Sequence, residues 1–209
     1  MVENMNVTFN FLGKIAYDIA EKLQLEEKER VKNGMSNGTV FFLEHQPAVI
    51  TLGKNAIASN ILIPEKLLRS RGYDIRKVSR GGDVTVHEPG QLVVYFVMPL
   101  KSKAVRGFVD NIMNAVCSTL GEFGINAAFD DKKPGLWVED KKICSIGFDL
   151  TGRVSMHGIA PNVSNTLEGF SMIVPCGLSG VKMTSLSKEL GRNVSVDEVS
   201  NILSAKLSF

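Results

Sequence analysis

Cysteine is scarce: three occur in 209 residues, at positions 117, 144 and 176, and no C-x-x-C is present. An odd number at unrelated spacings excludes a disulfide framework, and the missing pair argues against a zinc ribbon or a thioredoxin-like motif. Reduced thiols in a cytoplasmic protein are the expectation. An excess of one charge is also lacking. Lys and Arg number 24 against 22 Asp and Glu, a formal net charge of +2, so neither nucleic acid nor a membrane surface is implied as partner. The longest apolar run, Leu92 to Leu100, is too short to span a bilayer. The amino terminus carries Glu3 and no basic stretch ahead of a long apolar core, so no signal peptide is expected. Neither G-x-G-x-x-G nor the P-loop pattern occurs, and there is no internal repeat or low-complexity segment. No histidine pair stands at metal-ligand spacing with a carboxylate, so no metal is expected.

What is present suits one mixed domain over residues 1–209, with 44% hydrophobic residues to build a core. Asn6 to Phe11 reads as a first strand. Gly13 to Val31 reads as a helix with an apolar stripe of Ile15, Ile19, Leu23 and Leu25. Strands are expected at 39–43, 48–52, 73–78 and 91–98, and a short helix at 63–71 with Pro64 in its first turn. The 105–123 pattern is helical, and strands follow at 125–129, 135–139, 142–150 and 153–160. Asp140-Lys141 and Thr151-Gly152 look like hairpin connections. About 184–209 should form a small helical appendage, its last helix opened by a Ser195/Glu198 capping box. The fold class is α/β of the α+β type, largely antiparallel in its second half.

Chemistry concentrates between Lys142 and Cys176. Cys176 stands between Pro175 and Gly177 after an apolar run, where a turn would expose the thiol and a glycine would admit substrate. The alternative is a small apolar core residue. Cys117 lies on the apolar stripe of the 105–123 helix and should be core. Cys144 lies two residues from Lys142 in a strand, which puts both on one face and makes it the rival nucleophile. Lys142 is either a solvated charge at a hairpin or an amine that favours a thiolate. The run Arg80-Gly81-Gly82 offers backbone N–H groups or is a polar turn, and His87 and His157 are read as satisfied structural histidines.

Several motifs in order resemble the lipoyl(octanoyl) transferases of lipoate biosynthesis. They are Leu43-Glu44-His45 with Pro47, Thr51-Leu52-Gly53, RGGDVTVHEPGQLVVY from Arg80, Gly135-Leu-Trp-Val138, KICSIG from Lys142, MHGIAPNV from Met156 and IVPCGL around Cys176. The resemblance implies the biotin/lipoate protein ligase-like catalytic fold. It implies Cys176 as acyl-thioester nucleophile and Lys142 as its activator. Arg80, Gly81, Gly82, Asp83, Val84, Thr85, Val86, His87, Ser145, Ile146, Gly147, His157, Gly158, Ile159 and Ala160 would line the acyl-substrate pocket.

The implied donor is octanoyl-acyl carrier protein, with the acyl group on phosphopantetheine. The implied acceptors are lipoyl domains of 2-oxoacid dehydrogenase subunits and the glycine cleavage H protein. No cofactor of the protein's own is implied, and a monomer is expected. The family pattern has Tyr at Val86 and Gly at Glu88, so the chain departs from it twice. An ATP-dependent lipoate or biotin ligase on the same fold, or a non-catalytic acyl-protein binding module, are the alternative readings.

Overall fold

The computed structural model describes residues 6–100, 105–130, 132–177 and 180–209. Its scaffold is an eight-stranded sheet. The order is β1 (Thr8–Ile15), β2 (Thr39–His45), β6 (Val93–Val97), β10 (Met156–Pro161), β9 (Lys141–Asp149), β8 (Gly135–Val138) and β7 (Ala128–Phe129), with β11 (Lys182–Met183) also on β9. A smaller sheet has the order β4 (Tyr73–Lys77), β3 (Ala48–Leu52), β5 (Val84–His87). β1–β2, β3–β4 and β9–β11 are parallel pairs, and the remaining pairs are antiparallel.

The central strands of the large sheet are buried on both faces, which is why they read as continuous apolar runs. Val40 and Phe42 of β2 and Val94 and Phe96 of β6 point to one side. There they meet α3 (Val105–Glu122) through Ile112, Met113, Val116 and Leu120. Phe41, Leu43, Val93, Tyr95 and Val97 alternate to the other side, against Ala20 and Val31 of α1 (Tyr17–Lys32). α4 (Leu186–Leu190) and α5 (Val196–Lys206) put Leu186, Val199 and Leu203 into the same core as α3. Each is capped by a serine: Ser185 Oγ accepts from Lys188 N, and Ser195 Oγ from Glu198 N at 3.1 Å. The short helix α2 (Glu65–Ser70) follows Pro64 as expected.

The first helix departs from the sequence reading. Ile15 and Gly13 belong to β1, and Ile19 and Leu25 are about half exposed, at 55% and 49%. The face that α1 buries is Tyr17, Ala20, Gln24, Glu27 and Val31. Its two polar members are hydrogen-bonded: Glu27 accepts from Thr39 Oγ1 at 2.8 Å and from Arg30, and Gln24 Oε1 accepts from His157 N at 2.8 Å. A buried face that carries Gln24 and Glu27 in place of apolar residues leaves no apolar stripe to read. Residues 84–87, expected within a loop, are strand β5 paired with β3. The hairpin between β8 and β9 turns on Glu139-Asp140, one residue earlier than expected, with Glu139 at a left-handed φ of 54°. No helix of the described residues is long and apolar enough to cross a membrane.

Candidate active site

Lys142 and Cys176 meet. The Nζ of Lys142 lies 3.2 Å from the Cys176 sulfur and donates to Pro134 O at 2.7 Å. The lysine is 1% exposed, and its nitrogen sits 5.7 Å from the centroid of the Trp137 ring, the cross-strand neighbour on β8. Gly135 makes room for it. A Cβ there would strike Lys142 Cε and come within 2.9 Å of its Nζ, and the φ of 148° is itself unsuited to a side chain.

Cys176 sits in a tight turn over Pro175–Gly177 with φ 58° and ψ 19°, left-handed backbone that a non-glycine residue adopts at a cost of about 1–3 kcal/mol. The turn is fastened from the small-sheet side. Asp83 accepts from Ile57 N at 3.0 Å, from Val84 N at 2.8 Å and from Asn60 Nδ2. Asn60 O in turn accepts from Val174 N at 2.7 Å. A Cβ on Gly177 would lie 2.7 Å from Asp83 Oδ2, so only glycine lets the turn close on that carboxylate.

Behind the thiol a cleft opens between the two sheets. Of the residues expected to line it, Arg80, Gly82, Asp83, Thr85 and His87 do so from the small-sheet side. Ser145 to Gly147 on β9 and His157 to Ala160 on β10 do so from the large sheet. Val84, Val86 and Gly81 do not. Strand alternation turns Val84 and Val86 into a separate core with Phe170 and Met172, while Gly81 gives its N–H to Phe148 O. Four lining residues were missed: Tyr17, Thr51, Val78 and Tyr95. Thr51 and Tyr95 lie inside the quoted motifs, so a signal was available for them. Tyr17 is brought in by the helix face that sequence reading misplaced.

Cys144 is not on the Lys142 face. The β8–β9 register shifts, with Trp137 opposite Lys142 but Leu136 opposite Cys144, so Ile143 is an extra residue. The bulge reverses the alternation and sends Cys144 into the core beside Ile143. Burial pushes its thiol up to about 12. Cys117 packs at the edge of the same core, and burial raises its pKa as well.

Three histidines at the site are hydrogen-bonded to uncharged groups. His45 shares a 2.7 Å hydrogen bond with the Tyr95 hydroxyl, His87 one of 2.8 Å with Gln91 Oε1, and His157 one of 3.0 Å with Ser79 Oγ. Burial lowers His45 to about 4 and His157 to about 4, the latter helped by the Arg80 guanidinium, and holds His87 well below 6.5. Burial raises Tyr17 and Tyr95. Glu88, where the chain departs from the expected pattern, is 4% exposed and fully engaged. Its carboxylate accepts from Leu167 N at 2.8 Å, Asn165 Nδ2 at 3.0 Å, and Gly169 N and the Tyr73 hydroxyl at 3.2 Å each. It thereby ties the segment that leads to Cys176 onto the small sheet.

The chain matches the lipoyl protein ligase A/B catalytic domain over residues 18–208. It is 38% identical over 193 residues to the octanoyltransferase of Maridesulfovibrio salexigens, covering 91% of this chain and 90% of that one. It is 42% identical over 194 residues to the octanoyltransferase of Dictyoglomus thermophilum, covering 92% and 82%. Among solved structures, the bi-partite lipoate protein ligase of Thermoplasma acidophilum superposes with a TM-score of 0.75 at 17% identity, over 97% of this chain and 82% of that one. The fold is thus the lipoate protein ligase-like α/β fold that the motifs implied. The chain belongs to the lipoyl protein ligase A/B catalytic-domain family, on its octanoyltransferase side, and is an acyltransferase.

Two consequences are measurable. Each buried imidazole binds its proton more weakly folded than unfolded, so between about pH 4 and 6.5 the unfolded chain holds more protons. Stability is complete above that window and is lost as pH falls through it, by about 1.4 kcal/mol per pH unit per imidazole. Denaturant midpoints at several pH values should show the slope, and His45→Gln should flatten it by one proton. An unchanged slope in that variant would remove His45 from the account. Gly135→Ala should displace the Lys142 ammonium, so that alkylation of Cys176 slows at least tenfold under conditions where circular dichroism shows folded protein.

Proposed function

We propose that the protein transfers an octanoyl group from octanoyl-acyl carrier protein to a specific lysine of a lipoyl domain, through a thioester on Cys176. The observation that carries this reading is the contact of Lys142 Nζ with Cys176 Sγ at 3.2 Å, at a cleft between the sheets, in a chain of the octanoyltransferase family. The acyl chain would lie in that cleft. Acceptors would include 2-oxoacid dehydrogenase subunits and the glycine cleavage H protein.

The chemistry has two halves. In the first, the sulfur of Cys176, its negative charge stabilised by the neighbouring ammonium, attacks the thioester carbonyl carbon. A tetrahedral oxyanion forms and collapses, the bond to the phosphopantetheine sulfur breaks, and that sulfur leaves with a proton from Lys142. Lys142 is then neutral. In the second half the acceptor amine attacks the acyl-enzyme and gives its proton to Lys142, and Cys176 leaves as the thiolate. Dyad and protons return to their starting state. The donor thioester is already activated, so ATP has no step to serve. Donor and acceptor use one site in turn, which gives ping-pong kinetics.

Substitution separates the thiols. Cys176→Ala should abolish transfer, whereas Cys144→Ala, in the core on the far side of the bulge, should retain it. Lys142→Ala should lower kcat by about 10²–10⁴-fold with the fold preserved. The assay is octanoylation of a purified lipoyl domain followed by intact mass. Transfer by Cys176→Ala at the wild-type rate would sink the mechanism. An absolute need for ATP and free acid would instead support the ligase reading, and binding of acyl donor with no transfer would support a non-catalytic module.

A further inference from the structure

The chain has one tryptophan, Trp137 on β8. An indole is the largest apolar side chain and ordinarily helps to build a core. Among the described residues, Trp137 joins none of the three apolar cores, although its neighbours Leu136 and Val138 both pack on the core beneath α3. It is partly buried, and its ring meets charge instead. The centroid lies 5.7 Å from Lys133 Nζ and 5.7 Å from Lys142 Nζ, and the indole Nε1 donates to Lys133 O at 2.9 Å.

These contacts converge on Lys142. Asp130 Oδ1 accepts from Lys132 N at 2.8 Å and from Lys133 N at 3.2 Å. The Lys133 carbonyl accepts from the indole, and the next carbonyl, Pro134 O, accepts from Lys142 Nζ at 2.7 Å. The indole N–H thus fixes the segment whose carbonyl holds the amine. Strand pairing sets Trp137 opposite Lys142, and Gly135 leaves room for the lysine stem. An amine on a flexible four-carbon stem, held only by Pro134 O and the Cys176 sulfur, could still swing about the line joining them. The ring is a third contact, and a ring face attracts an ammonium within about 6 Å of its centroid.

We infer that Trp137 is a positioning residue for Lys142, its ring face holding the amine against the Cys176 sulfur through both halves of the transfer. This rests on the Cys176–Lys142 mechanism proposed above. In that cycle Lys142 gives a proton to the departing sulfur and takes one from the acceptor amine, so its nitrogen has to stay within reach of both. Trp137 acts through Lys142 and takes no part in bond making.

The test compares Trp137→Leu, which removes the ring, with Trp137→Phe, which keeps a ring face. Octanoyl transfer to a lipoyl domain is measured where circular dichroism shows folded protein. Trp137→Leu should lower kcat about ten- to a hundredfold and leave KM for octanoyl-acyl carrier protein within about twofold. Trp137→Phe should recover most of the loss. A purely structural role would lower the melting temperature and leave kcat in place, which would overturn the inference. A Phe variant as slow as Leu, or a loss confined to KM, would also overturn it. In a Lys142→Ala background Trp137→Leu should cost no further rate, because the two residues act as one unit. A second loss as large as in wild type would place the effect of the ring elsewhere.

If Trp137→Leu does not fold, the emission of the sole tryptophan serves with the indole intact. Lys142→Met, which keeps a long stem and loses the ammonium, should change its intensity and maximum. Unchanged emission would overturn the contact. Lys142→Ala keeps the two claims apart. Transfer by that variant at the wild-type rate sinks the mechanism beneath the inference. A crippled Lys142→Ala beside a Trp137→Leu enzyme at the wild-type rate sinks the inference alone.

Discussion

A lysine ammonium held against a cysteine sulfur, almost wholly out of water, is the constraint that shapes this molecule. Burying an isolated ammonium costs several kcal/mol, yet Lys142 is 1% exposed. Its surroundings offset that cost: the Pro134 carbonyl at 2.7 Å, the sulfur at 3.2 Å and the Trp137 ring. Gly135 supplies the volume. The bulge at Ile143 sends the neighbouring thiol, Cys144, into the core, so one sulfur faces the lysine and the other does not.

Two sheets then hold the halves of that contact. Lys142 rides on β9 in the large sheet, which is locked between α3 and α5 on one face and α1 on the other. Cys176 rides on an irregular segment in left-handed backbone, which would relax unless fixed from outside. Asp83 and Asn60 fix it near the thiol, and Glu88 fixes its approach through Leu167 and Gly169. A carboxylate at position 88 is therefore part of the support for the nucleophile. The cleft between the sheets exists because these ties join them around a gap instead of a packed core.

Much of this was legible in the sequence. The apolar runs at 39–43 and 91–98 gave buried strands because both faces are covered, and the periodicity at 105–123 gave α3. The Pro-Cys-Gly sequence pointed to a thiol in a turn, where the structure has it, though partly buried. Features that depend on distant partners were not legible. The inner face of α1 buries Gln24 and Glu27, whose burial makes sense only beside His157 and Thr39. The face of Cys144 depended on a bulge set by its pairing with β8. Val84 and Val86 were placed in a lining loop because strand β5 was not recognised. Arg80 looked like a turn residue, since nothing local shows that its side chain is buried and donates to Thr51 on the neighbouring strand.

The most direct measurement is the intact mass of the protein after exposure to octanoyl-acyl carrier protein without acceptor or ATP, followed by a chase with a lipoyl domain. The account expects one octanoyl group, labile to hydroxylamine, mapped to Cys176 and passed to the lipoyl-domain lysine on chase. An unmodified protein that still octanoylates the lipoyl domain when acceptor is present would contradict it, because transfer would then bypass the thiol.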